Sequence, residues 1–373
     1  MKKGLAVFYD PHNVYQFLWY YCTYGGGNME WSALCLPNSF LGDQVSEFCK
    51  KLNIFKKIII SKEVFEGWTQ KQQFNEFLKM FGYALTCRQE IYAKKFTDKL
   101  IGYLEYDQAV VLTDCGYVSG MFIAQSSNKE IVILEDGMGD YIDRKYSNVF
   151  KNLSNSYSIK GFILALLGYV NFSSRYPLRT TKKCIKFSSH PNKMKYRSYR
   201  EIKKLFEIEK TDYDLFMSKL NCIYPELNKY FQNKPDAILL TTPISDYTDR
   251  PDDYYLRLER KISEIGFSRI VLKKHPRDRH IYSFNKVEYV EIPQQIPAEV
   301  ILPYLKNIEI LFMDLSSTNL YMQNFAYNPK FFYFDKLNSD IAKIGCADRY
   351  NSKEQLISKL SNWNLEKSQI IDI

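Results

Sequence analysis

Short apolar runs recur along the chain, each about a strand long and each followed by polar or glycine-containing residues. In the first part they fall at residues 5–9, 32–36, 57–61, 108–113 and 131–134, and they are rich in Val, Ile and Leu with little alternation. That is the pattern of strands buried on both faces of a parallel sheet. Residues 14–21, 43–52 and 69–100 lie between them and carry helical periodicity. A second set of runs, at 236–242, 268–273, 287–292, 309–313 and 331–334, surrounds a helix expected over 251–265 with Pro251 in its first turn. Strands alternating with helices in both sets predict an α/β chain with two parallel, doubly wound sheets.

A chain of 373 residues exceeds one ordinary hydrophobic core. We therefore expect an N-terminal domain over 1–150, a basic linker or helical region over 151–235, a second α/β domain over 236–350, and a helix over 351–373 that packs back across the junction. The 151–235 region stands apart because of its charge: Lys182, Lys183, Lys186, Lys193, Lys195, Arg197, Arg200, Lys203 and Lys204 interleave with Tyr196 and Tyr199. Two readings apply, a surface for an anionic polymer, membrane or nucleic acid and a solvated linker with a charged helix face; the second is the expectation. The most apolar run, Phe162 to Val170, is far shorter than the ~20 residues that span a bilayer and is expected in the core.

The net charge of +9 suits an anionic partner: a nucleotide, an acidic sugar polymer, a membrane surface or nucleic acid. The eight cysteines form no CxxC pair, which argues against a zinc site and for reduced thiols. Met1-Lys2-Lys3-Gly4 runs straight into a strand-like segment without a secretory signal pattern, so a cytoplasmic location is expected.

Chemistry is expected at strand ends, because ligands of open α/β sheets bind outside the carboxyl ends of their strands. Glu135 and Asp136 follow the run at 131–134 at once, and Gly137 and Gly139 then free the loop. A carboxylate pair there suits proton abstraction. In the second half His275-Pro276-Arg277 follows the run at 268–273. His190-Pro191 has no strand predicted before it and is set aside. Gly25-Gly26-Gly27 lacks dinucleotide-fingerprint spacing.

Glu135-Asp136-Gly137, then His275-Pro276, then Ser316-Ser317-Thr318 resemble, in that order, the acidic, His-Pro and Ser-rich motifs of the bacterial sialyltransferases, polysialyltransferases included. The segment Ile296-Pro297-Ala298-Glu299 also looks like the family stretch that carries a ribose-binding glutamate. The resemblance implies a GT-B-like fold, two Rossmann-like domains facing a central cleft, with donor nucleotide on the C-terminal half and acceptor on the N-terminal half. It implies inverting transfer of sialic acid from CMP-sialic acid to a hydroxyl of a glycan acceptor, in capsule or lipooligosaccharide synthesis, with no metal and no cofactor. His275 would donate to the departing phosphate; Pro276, Ser316, Ser317, Thr318 and Thr242 would line the donor site; Glu299 would take the ribose hydroxyls. The base stays open between the Glu135–Asp136 pair, which is preferred, and Asp246 in the first loop of the second half. Each residue also has a purely structural reading: Asp246 as turn former, Ser316 and Ser317 as helix caps, Glu299 as a first-turn acid and His280 as an exposed surface histidine. Expected partners are the CMP-sugar donor and the glycan, with a peripheral contact at the inner membrane face compatible with the charge and no nucleic acid. Competing readings are another GT-B transferase, such as one using CMP-Kdo, and a non-enzymatic polyanion binder.

Overall fold

The computed structural model describes residues 1–36, 42–61, 70–86, 88–112, 117–135, 183–194, 199–315, 318–325, 327–334, 350, 352–362, 365 and 367–373. The chain divides into two compact units, Met1–Ile223 and Tyr224–Ile373.

The first unit is built on seven parallel strands: β1 (Lys2–Phe8), β2 (Met29–Cys35), β3 (Phe55–Ile60), β4 (Gln108–Val111), β5 (Glu130–Ile133), β6 (Ile185–Ser188) and β7 (Glu201–Lys204). Their spatial order is β3-β2-β1-β4-β5-β6-β7. The chain steps outward from β1 on one side and then restarts beside it with β4, so the topological switch point lies between β1 and β4. Leu5 to Phe8 are fully buried, as the unbroken apolar run predicts. Gly4 is where Trp31 of the neighbouring strand crosses: a Cβ there would come within 2.4 Å of the indole ring. Helix α1 (Pro11–Thr23) starts at once, with Pro at its first turn and Asp10 and Asn13 forming a reciprocal capping box. Its Trp19 packs against Phe206 and Phe216, with ring centroids 5.1 and 4.2 Å away.

The second unit holds β8 (Ala237–Leu240), β9 (Arg269–Lys273), β10 (Glu288–Ile292), β11 (Glu309–Phe312), β12 (Lys330–Tyr333) and β13 (Gln369–Asp372), ordered β10-β9-β8-β11-β12-β13 and all parallel. Numbered from its own first strand this is 3-2-1-4-5-6, the dinucleotide-type order, with the switch point between β8 and β11. The long helix Pro251–Ile265 follows β8 and ends at Gly266, whose φ of +88° is left-handed backbone that favours glycine. Two Rossmann-like sheets are thus present, as the strand–helix alternation predicts.

Three differences from the sequence reading stand out. Residues 185–188 and 201–204, expected as linker and helix face, are strands of the first sheet. Lysines hid them: in β6 the apolar neighbours Ile185 and Phe187 flank a Lys186 that is itself fully buried, while β7 is a half-exposed edge strand. The helical stretch 69–100 is two helices, Gln70–Leu85 and Gln89–Leu100. The tail, expected as helix throughout 351–373, is a helix over Lys353–Asn362 followed by β13, which forms the edge of the second sheet. Phe162 to Val170 lies outside the described residues, and among those described no helix is long and apolar enough to cross a membrane.

Candidate active site

In the second unit the loops after β8 and β9 lock together around one carboxylate. Asp278 is fully buried. It accepts from the hydroxyls of Tyr255 (3.1 Å) and Tyr282 (2.8 Å), from the Thr241 hydroxyl, and from the His280 N–H (3.1 Å). Burial, and then the Asp278 carboxylate, push both phenols well above their ordinary ionisation range, so they remain donors. His280 is not the exposed histidine of the sequence reading. Its ring lies flat on Tyr255, centroids 3.8 Å apart, and its Nε2 meets Glu259 at 2.9 Å.

This frame fixes the backbone of His275. The His275 N–H donates to Thr241 Oγ1 (3.1 Å), and its carbonyl accepts from the Asp278 N–H (2.9 Å) and from Gln294 Nε2 (3.2 Å). The ring is fixed as well, because Nδ1 accepts from the Arg277 N–H at 3.2 Å. An accepting Nδ1 on a neutral imidazole leaves the proton on Nε2. Burial pulls the His275 pKa below its ordinary value, and the Arg277 and Lys273 charges pull it further, against Asp278 and Asp246. The side chain is therefore a neutral, oriented N–H donor. Asp246, on the short 3-10 turn Ile244–Asp246, reaches Arg277 at 2.8 Å and so sits in the same cluster. Thr242 is buried at the start of that loop, its carbonyl accepting from Ile244 N–H, whereas Pro276 is exposed at the turn.

Beside this cluster Lys273, almost fully buried, donates to the carbonyls of Lys274 (2.8 Å) and Gln294 (3.3 Å). Burial lowers its pKa to about 8, opposed by the charges of Glu299 and Glu291. Glu299, on the one-turn helix Ala298–Ile301, is also buried and accepts from the Thr318 hydroxyl at 3.2 Å. Thr318 begins the helix Thr318–Met322 after β11. Asp246, His275, Lys273, Glu299 and Thr318 thus belong to consecutive links of one network at the carboxyl ends of β8, β9 and β11. Ser316 and Ser317 lie outside the described residues.

In the first unit Glu135, two residues past the end of β5, is fully buried. Ser189 donates to its carboxylate twice, from the backbone N–H (2.7 Å) and from the hydroxyl, and Gln16 Nε2 of α1 donates to its carbonyl at 2.9 Å. Asp136 lies outside the described residues. His190-Pro191, set aside for want of a preceding strand, directly follows β6 and the Ser189 that holds Glu135. Sequence reasoning missed Thr241, Asp278, Gln16 and Ser189. Only the position of Asp278 close after His275-Pro276 offered a signal, and the tyrosines that hold it sit elsewhere in sequence.

Each unit is a Rossmann-like sheet, and the second gathers His275, a buried acid and hydroxyls at its switch point, an arrangement in keeping with the glycosyltransferase expected from the sequence. The chain belongs to the alpha-2,8-polysialyltransferase family, whose model matches residues 37–334. Its reaction is accordingly the transfer of sialic acid from CMP-sialic acid to a glycan acceptor. Among solved structures it is similar to a sialyltransferase from Photobacterium damsela, at 12% identity over 100% of this chain and 82% of that one, with a TM-score of 0.48. It is also similar to the UDP-GlcNAc 2-epimerase from Neisseria meningitidis bound to UDP-GlcNAc, at 11% identity over 99% and 95% of the two chains, with a TM-score of 0.46. No curated protein sequence matches the chain.

Proposed function

We propose that the enzyme transfers sialic acid with inversion and without a metal ion, and that the carboxyl ends of β8, β9 and β11 bind the CMP moiety. The observation that carries the reading is the His275 ring, held by the Arg277 N–H so that Nε2–H is free to donate to a departing phosphate. As the acceptor hydroxyl attacks C2 of the sugar, the bond from C2 to the phosphate oxygen breaks and negative charge grows on that oxygen. A neutral N–H donor already in place strengthens its bond as that charge grows, without reorganising. Ser316, Ser317, Thr242 and Pro276 are assigned to the donor site on the family resemblance. The acceptor proton goes to a carboxylate of the Glu135–Asp136 pair, with Asp246 the rival base; the engagement of Asp246 by Arg277 favours the pair.

Glu299 is assigned to the ribose diol. Its burial and its contact with Thr318 support this, because a buried carboxylate with accepting capacity suits two vicinal hydroxyls. Glu299→Ala should weaken CMP binding by about 1.5–3 kcal/mol, the usual worth of a hydrogen bond to a charged group. Calorimetry finding wild-type affinity would remove Glu299 from the donor site.

The reading as a whole is tested by incubating the protein with CMP-sialic acid and a panel of galactosides and sialosides, with product mass read out, in the presence and absence of EDTA. Sialylated product should form at equal rates in both. A loss in EDTA that Mg²⁺ restores would overturn metal independence, and no product on any acceptor would overturn the transfer reading. A cytoplasmic site of action, peripheral to the membrane and serving capsule or lipooligosaccharide synthesis, is part of the proposal and rests on the +9 charge and the family.

A further inference from the structure

The carboxyl ends of β5 and β6 enclose an unusual concentration of polar side chains. Gln16, Glu135, Lys186 and Ser188 are fully buried and Ser189 is 1% exposed. Parallel pairing of β5 with β6, Ile133 opposite Lys186, brings the two strand ends side by side. The Lys186 ammonium donates to the Leu134 carbonyl at 3.0 Å, one residue before Glu135, and lies over the Tyr199 ring at 5.8 Å. Removing an ammonium, a carboxylate and several amide and hydroxyl groups from water is expensive, and apolar side chains of similar size would serve stability as well or better. Such a network earns its place by fixing geometry.

The group it fixes is Glu135. One serine supplies donors to both carboxylate oxygens, its N–H to one and its hydroxyl to the other. The Gln16 amide holds the Glu135 carbonyl, and Lys186 holds the carbonyl before it. Both peptide oxygens leading into the acidic loop, and the first carboxylate of that loop, are thus tied to elements distant in sequence. We propose that Ser189 is a positioning residue of the transfer reaction: bonded to both carboxylate oxygens, it holds the Glu135 carboxylate in the orientation in which it takes the acceptor proton. This rests on the transferase reading above, with Glu135 as the member of the pair that takes the proton.

The test compares wild type with Ser189→Ala, Ser189→Cys and Ser189→Thr in steady-state transfer from CMP-sialic acid to a sialylated acceptor, alongside CMP affinity by calorimetry and thermal unfolding. Cys keeps the volume and loses the strong donor; Thr keeps the donor and adds a methyl. The expected result is kcat lowered about ten- to a hundred-fold in the Ala and Cys variants, the scale of a displaced catalytic group. KM for CMP-sialic acid and CMP affinity should stay within about twofold of wild type, and Thr should restore most of the rate. The inference is overturned if Ser189→Ala turns over like wild type. It is overturned equally if rates follow volume, with Cys active and Thr not, or if CMP affinity and melting temperature fall in step with kcat. A wild-type protein without transfer activity would sink the functional reading itself, whereas an active wild type with an unaltered Ser189→Ala sinks this inference alone.

Discussion

His275→Ala is expected to slow both transfer to acceptor and the slower hydrolysis of CMP-sialic acid by water, each by about 10²–10³-fold, the scale of losing one preorganised donor to a developing anion. Both reactions break the same bond from C2 to the phosphate, so a residue serving the leaving group affects both. A base variant such as Glu135→Gln should slow transfer far more than it weakens CMP binding. The pH behaviour follows from the environment of the ring. Burial first, then Arg277 and Lys273, lower the His275 pKa, so the ring stays neutral at and above its ordinary value of about 6.5. The Nε2–H donor is therefore intact through neutral and alkaline pH, and no alkaline loss of kcat should trace to this residue. For stability the sign is the same. The unfolded chain binds a proton near pH 6.5 that the folded chain refuses, so the contribution of this group is complete above that value and shrinks as pH falls through the folded pKa. Imidazole ¹⁵N spectra should show the proton on Nε2. A proton on Nδ1, or unaltered hydrolysis in His275→Ala, would remove the residue from its role.

Asp278→Ala should be the most destabilising single change near the site, costing about 3–5 kcal/mol, as when one partner is removed from a buried, charged network. It strands the hydroxyls of Thr241, Tyr255 and Tyr282 and the N–H of His280 at once. Each such orphan costs about 1–3 kcal/mol in isolation, and relaxation recovers part of the sum. Asp278→Asn keeps one accepting oxygen and should lose less. Urea unfolding is the measurement, followed by a probe in the second unit, because two compact units need not unfold as one transition. A midpoint shift worth less than about 1 kcal/mol in the Ala variant would show that the loops do not depend on this carboxylate.

What the sequence revealed was decided by how locally each feature is encoded. The apolar runs at 5–9, 131–134 and 268–273 announce buried strands because both faces of a parallel strand are covered. The residues that follow them, Glu135-Asp136 and His275-Pro276, are legible because strand ends are where such sheets do chemistry. β6 was illegible: its Lys186 reads as solvated charge, and contacts distant in sequence, the pairing with β5 and the Leu134 carbonyl among them, make a buried ammonium tolerable there. Asp278 was equally silent, since an acid in a charged turn is ordinary. Its importance comes from Tyr255, 23 residues earlier on a helix, and from Thr241 at the end of another strand. His275 was visible as a candidate, but its tautomer depends on one backbone N–H that no pattern of side chains reveals.

The hydrogen bonds that hold Glu135 also say when that corner takes shape. Ser189 lies 54 residues from Glu135 along the chain and Gln16 lies 119 away. Closing loops of that length sacrifices chain entropy before any contact returns it, and parallel strands joined through long crossovers are among the slowest pairings to form. The β1–α1 start of the sheet, by contrast, is organised by neighbours: Asp10 and Asn13 cap the helix across three residues. Helix α1 can therefore be capped by local contacts alone, whereas the Glu135 corner is expected to form only once β6 has docked. Substitutions along β6 can accordingly leave a polypeptide that is compact, rich in helix and sheet, and still catalytically immature.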